Sequence, residues 1–258
     1  MNDKRGSLLE TISPVAILAV HFILIIPVFI SFDYYTPPVF FGLAVINVFV
    51  LGRVKIGAFL KIVLPLATLP VGLFFLNLFF SRTNQEEEIV RFLFAAVSRN
   101  SLRRASIIFI RTFTMIIISV SYLLLTEPQK LVNALMQQLN LSPRVGFALY
   151  VAWNIIPQFR EDLRRIENTH KVRLKARRKK LAEIPATAIT LLSGAIRHAE
   201  RASVSMAARG IETGRSRTYL KECPWRRRDT IYLIMWMIVT AVSFALITHL
   251  GLFTFGLS

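Results

Sequence analysis

Between Ile12 and Phe32 the chain runs for 21 residues without an Asp, Glu, Lys or Arg. That run meets the roughly 20 apolar residues a helix needs to cross a bilayer. Val39 to Leu51 gives a second, shorter run, Ile62 to Phe80 a third, Ile107 to Leu125 a fourth and Ile231 to Phe255 a fifth. In lipid every backbone N–H and C=O must find an internal partner, so such runs are predicted to be helices. The third carries Pro65, Pro70 and Gly72, which predicts a kink or a break. Hydrophobic residues make up 54% of the 258 and mean hydropathy is +0.52, beyond the usual balance of a soluble domain. The expected fold class is an all-α membrane protein with about five transmembrane helices. Two stretches fit this scheme less directly. Ser81 to Ser106, with Glu86, Glu87 and Glu88 ahead of Ile89, Val90 and Phe92, reads as an interfacial or partly buried amphipathic helix. Arg111, near one end of the fourth run, is expected to snorkel to the headgroups rather than to serve as a buried functional charge.

The net charge of +17 is unevenly placed. Glu127 to Thr230 holds 21 Lys and Arg against nine Asp and Glu, so one polar segment carries an excess of 12. Basic residues near membrane ends favour the cytoplasmic side. The resulting division is 1–126 as a membrane region of about four spans, 127–230 as a cytoplasmic segment and 231–258 as a last span. Five spans put the amino terminus inside. Five Arg between Arg82 and Arg104 then fall on the outer side, against that tendency. The single Cys223 has no cysteine to pair with in the chain and is expected to be an ordinary thiol.

Within the basic segment, apolar residues recur at helical spacing. Val145, Leu149, Ala152, Ile156, Phe159, Leu163, Ile166 and His170 form one seam, and continuing the same steps reaches Arg173 and Arg177. After Pro185, which suits a helix's first turn, Ala188, Leu192, Ala195, Ala199, Ala202 and Met206 form another and lead to Arg209. Small residues let two helices approach and cross closely. Gly210 stands where a helix C′ glycine is expected. Periodicity alone leaves open a basic amphipathic hairpin lying on anionic lipid, or a membrane-anchored protein gripping nucleic acid.

Catalytic patterns are missing from the sequence. No Gly-Lys pair occurs, so there is no phosphate-cradling loop of the P-loop type. His21, His170, His198 and His249 are dispersed without metal-ligand spacing. A proton-coupled transporter is disfavoured by the scarcity of acids in the apolar runs.

Ala176-Arg177-Arg178 closing one basic helix, Ala208-Arg209-Gly210 closing the next, and Arg215-Ser216-Arg217-Thr218 before the last span together resemble the transmembrane T component of energy-coupling factor transporters, the CbiQ-like family. Thr126-Glu127-Pro128-Gln129-Lys130-Leu131 and Ile155-Ile156-Pro157-Gln158-Phe159-Arg160-Glu161-Asp162 extend the likeness over the second half of the chain. Arg178 departs from the small residue usual in the first motif. The resemblance implies a non-catalytic subunit in a prokaryotic plasma membrane, serving vitamin or metal-ion uptake. It implies that Ala176, Arg177, Arg178, Ala208, Arg209 and Gly210 dock two ABC-type ATPase subunits. It further implies that Ile156, Phe159, Leu163, Ala195, Ala199 and Ala202 form the seam of two crossed coupling helices. A small membrane substrate-binding S component is the other implied partner, besides the bilayer and without nucleic acid. No cofactor is implied for this chain, since ATP would be bound by the partner subunits.

Overall fold

The computed structural model describes residues 8–80, 88–92, 95–173, 180–211, 219 and 221–251. In chain order the helices are α1 (Pro14–Ile30), α2 (Thr36–Ile46, continued by a π-helical turn over Asn47–Leu51), α3 (Ile56–Leu66), α4 (Thr68–Phe80), α5 (Arg99–Leu125), α6 (Pro128–Gln138), α7 (Pro143–Arg173), α8 (Lys180–Ala208) and α9 (Arg227–His249). A short hairpin, β1 (Glu88–Phe92) with β2 (Ala95–Ser98), precedes α5. The chain divides into two compact units, one built up to Glu127 and again from Trp225 onward, the other from Pro128 to Pro224.

Apart from the hairpin, the first unit is a helical membrane assembly. Ile56–Phe80 taken together, Asn100–Leu125 and Arg227–His249 are long and apolar enough to cross a membrane, while Pro14–Ile30 and Thr36–Leu51 are shorter apolar helices. These five stretches answer to the five apolar runs. α1 buries Ala16, Ile17, Val20, Leu24 and Val28, a stripe at helical spacing that packs against α2, α5 and α9. An aromatic series ties three helices together. Phe41 of α2 stacks on Phe113 with centroids 6.2 Å apart, Phe113 stacks on Phe109 at 5.9 Å, and Phe74 of α4 meets Phe109 edge-on at 6.1 Å.

Each helix end in this unit has a chemical cause. Ser13 caps α1 by accepting the Val15 N–H at 3.3 Å, with Pro14 in the first turn. Pro70 has no N–H to give to the carbonyl of Leu66, and the third apolar run breaks there: α3 stops at Leu66 and the Thr68 hydroxyl donates to the Pro65 carbonyl at 2.7 Å. Asp33 accepts both the N–H and the hydroxyl of Thr36, at 2.9 and 2.6 Å, and so starts α2.

α1 and α9 begin side by side. The buried Asp229 carboxylate accepts the Ser13 N–H at 2.6 Å through Oδ1 and the Arg226 N–H at 2.7 Å through Oδ2. Three residues further on, the Tyr232 hydroxyl donates to Asn47 Oδ1 at 2.9 Å, against the π-helical turn that ends α2. At the same end Gly52 lies so close to Leu125 and to the Val48 carbonyl that a Cβ would overlap both. At the opposite end Arg111 donates to the carbonyl of Phe29, in the last turn of α1, and its guanidinium lies 4.2 Å from the centre of the Phe32 ring. A cation is favoured at a helix C-terminus and over an aromatic face. Arg111 thus seals the end of α1, in keeping with a structural role.

Of the amphipathic helix expected over Ser81 to Ser106, residues 81–87, 93 and 94 lie outside the described residues, and 88–92 and 95–98 are extended instead. Within it the described residues make the antiparallel pair β1 and β2, with Val90 opposite Val97 and Phe92 opposite Ala95, and α5 begins only at Arg99. Ile-Val-Arg-Phe is a β-branched and aromatic run, and its strand preference wins over a weak helical period.

In the second unit Gly146 of α7 rests against the Met136 side chain of α6, closely enough that a Cβ at residue 146 would overlap it. The loop before α9 is fastened to α6. Gln137 Oε1 accepts the Cys223 N–H at 2.7 Å, and the Gln137 and Gln138 amides donate to the carbonyls of Lys221 and Cys223 at 2.9 and 2.8 Å. Pro185 does not open α8, as the sequence predicted. The helix starts five residues earlier, at Lys180, and Pro185 lies inside it. There it removes the one intrahelical bond that an N–H at residue 185 would have given to the carbonyl of residue 181.

Candidate functional site

α7 and α8 meet along an apolar groove of about 500 Å³. From α8 come Ala195, Ala199, Ala202, Ser203, Met206 and Ala207, and from α7 Ala148, Val151, Ala152, Ile155 and Phe159. Residues three and four apart share a face, so Ala195, Ala199 and Ala202, recurring at that spacing, leave a trough rather than a ridge. Arg144 stands at one end of the groove and Ile211 joins the wall beyond α8.

Of the six seam residues named from the sequence, Phe159, Ala195, Ala199 and Ala202 are brought together in the groove. Ile156 is 42% exposed and lies off it, and Leu163, half-buried, is also outside the lining. On α7 the groove keeps Ala152 and Phe159 of the predicted seam and takes Ala148, Val151 and Ile155 from the flank beside it, in place of Leu149 and Ile156. The helix has two neighbours, α6 at Gly146 and α8 along the groove, so one stripe does not serve both.

The end of α8 shows how sequence positions Arg209. Gly210 takes φ +68°, and the last carbonyls are closed by Gly210 N–H to Ala207 at 2.9 Å and Ile211 N–H to Met206 at 3.2 Å. This is the Schellman arrangement, which also brings together the apolar residues Ile211 and Met206, both in the groove wall. A side chain at residue 210 would resist the positive φ, so glycine there fixes where the helix stops. Arg209 is held as the last residue before that reversal, exposed, at the negative end of the helix dipole, with no ion pair among the described residues. Ala208 beside it is also exposed. Ala176, Arg177 and Arg178 lie outside the described residues.

Among the described residues a polar link crosses the pair of helices, and nothing in the sequence pointed to it beyond the position of His198 beside Ala199. His198 Nε2 of α8 is 3.7 Å from Asp162 Oδ2 of α7, and its Nδ1 lies 3.2 Å from the Arg201 guanidinium. Because a guanidinium can only donate, Nδ1 is the acceptor and the proton of the neutral ring sits on Nε2, toward the carboxylate. Among the described residues no group of three His, Cys, Asp or Glu is placed to hold a metal ion.

One unit thus holds helices long and apolar enough to cross a membrane, and the other a pair of long helices of which the second ends in a capped arginine. The family comparison agrees: the CbiQ model, described as a cobalt transport protein, matches residues 5–220. The chain belongs to the CbiQ family. It is similar to the energy-coupling factor transporter transmembrane protein EcfT of Lactococcus lactis subsp. cremoris, at 25% identity over 250 residues covering 91% of each chain. The EcfT protein of Bacillus subtilis is 24% identical over 255 residues, 93% of this chain and 94% of that one. That of Exiguobacterium sibiricum is 27% identical over 190 residues, 68% of this chain and 71% of the relative.

Proposed function

We propose that this protein is the transmembrane coupling subunit of an energy-coupling factor transporter. It has no catalytic site of its own and passes the motion of two ATPase subunits to a substrate-binding membrane component, for uptake of a vitamin or a metal ion. The amino terminus and the segment 127–230 face the cytoplasm of a prokaryotic cell in this reading. The observation that carries it is the capped end of α8. An exposed arginine with five fixed donors, flanked by Ala208 and Gly210, can enter a groove on a partner and meet carboxylates or carbonyls there. Ala176, Arg177 and Arg178 would play the same part for the second ATPase. Closure of the ATPase pair would shift the two helices against each other, and the Ala-lined groove lets them slide without steric conflict. Uptake then depends on both contacts at once.

The test is to express the chain with its ATPase and S-component partners and to follow ATPase retention and uptake together. Arg209→Glu is expected to abolish uptake while the ATPases stay bound through the other contact. Arg177→Glu should do so less completely, because Arg178 can stand in. The double variant should release the ATPases, since loss of a buried charged contact costs on the order of 2–5 kcal/mol at each end. Wild-type uptake by the double variant would sink the proposal and favour a basic surface that merely rests on lipid or nucleic acid.

A further inference from the structure

The start of α9 has more positive charge than its surroundings neutralise. Arg226, Arg227 and Arg228 occupy the cap and the first two positions of the helix, where the backbone dipole already favours an anion. The one acid in that turn, Asp229, is 1% exposed and both its oxygens are occupied by the N–H groups of Ser13 and Arg226. None of the three guanidinium groups has an ion pair among the described residues, and all three residues are exposed. Successive residues on a helix are turned by about 100°. With Asp229 pointing inward to α1, Arg227 and Arg228 lie about 160° and 100° round the helix from it, on the sides of α9 that face away from the bundle.

An uncovered apolar stripe continues directly from them. Arg227, Ile231, Met235, Ile238 and Val242 follow one another at steps of four and three, and the last four are 66%, 41%, 55% and 61% exposed. Trp225, 44% exposed, marks the level of the membrane interface, with its indole N–H donated to Thr230 at 2.7 Å. A ligand that fits this surface has an anionic head beside long hydrocarbon chains. We propose that the α9 start holds an anionic phospholipid, its phosphate on Arg227 and Arg228 and its acyl chains along Ile231, Met235, Ile238 and Val242. The surface exists whether or not the ATPase contacts are as proposed above, because it lies wholly within the membrane unit.

The full chain, purified in detergent, should be titrated with phosphatidylglycerol and with phosphatidylcholine, bound lipid being counted by native mass spectrometry. Phosphatidylglycerol is expected to bind the wild type on the order of 10 to 100-fold more tightly. Arg227→Gln with Arg228→Gln should remove most of that preference, and the corresponding Lys pair should keep part of it. Arg164→Gln with Arg165→Gln, on α7, should leave it unchanged. Each single Gln variant, melting like the wild type, should lose part of the preference, which covers the case of a double variant that folds poorly. A preference surviving in the double Gln variant overturns the proposal. So does equal loss in the α7 pair, which would mean diffuse attraction, or displacement by inorganic phosphate at matching concentration, which would mean a free-anion site.

Discussion

Replacing Asp229 by Asn tests the joint between the first and last membrane helices with almost no change of shape. The carboxylate accepts two backbone N–H groups, at 2.6 and 2.7 Å, from a position that is 1% exposed. Asn keeps one acceptor oxygen and turns an NH2 toward the other N–H. One charge-assisted bond is lost, a buried donor is left opposite another donor, and the remaining bond weakens. Leaving a buried donor unpaired costs about 1–3 kcal/mol and a bond to a charged group is worth about 1.5–3, so a net loss of about 2–4 kcal/mol is expected. For a unit of this size that corresponds to a melting point lower by roughly 4 to 16 °C. Loss of the monodisperse peak on size exclusion after stepwise heating would measure it. The control is Thr230→Val, which removes only the exposed Trp225 contact and should stay within roughly 0.5 kcal/mol of the wild type. If Asp229→Asn melts no lower than that control, the carboxylate is not what holds α1 to α9.

Other substitutions probe other parts. Gly52→Ala should lower stability by about 1–3 kcal/mol, since the added methyl meets the backbone carbonyl of Val48, which cannot turn aside; Gly146→Ala meets only the flexible Met136 side chain and should cost less, and heating both variants side by side checks the order. Ala199→Leu should fold normally, because the groove has room for it, yet cut uptake sharply if sliding of α7 on α8 transmits the stroke. His198→Ala should loosen the same pair by about 0.2–1 kcal/mol, the range for part-exposed polar contacts, and double-mutant analysis with Asp162→Asn would give their coupling. Gly210→Ala should cost about 1–2 kcal/mol by forcing a side chain into positive φ, with a drop in uptake as Arg209 loses its fixed end.

What could be read from the chain followed from local chemistry. The apolar runs marked the five hydrophobic stretches because a bilayer imposes a length, Pro70 marked the break between α3 and α4 because a missing N–H is a local fact, and Gly210 marked the end of α8 for the same kind of reason. What escaped is non-local. The pairing of Asp229 with Ser13 joins residues 216 apart, and no periodicity announces it. The α7 seam was placed only in part, at Ala152 and Phe159, because the sequence shows one apolar stripe while the helix serves two neighbours, and nothing in that stripe points to the pairing of Asp162 with His198. Residues 88–92 and 95–98 were misread for a third reason: Ile89-Val90-Arg91-Phe92 is too short for its spacing to separate helix from strand, and only its β-branched and aromatic side chains point to the strand.

The joint at Asp229 also bears on how the protein is made. Synthesis delivers α1 first, whereas the carboxylate that completes its beginning, and the Tyr232 hydroxyl that meets Asn47, arrive with the last helix after more than two hundred further residues. Until then the apolar stripe of α1 and the π-helical turn of α2 lack their partners, so the nascent membrane unit must wait in the bilayer as an unfinished bundle. A chain stopped before Trp225 would carry both long basic helices and none of this closure. A cell's membrane proteases would meet such a product as unassembled helices, and abundance in the membrane should thus report on the arrival of α9 before it reports on any contact with a partner.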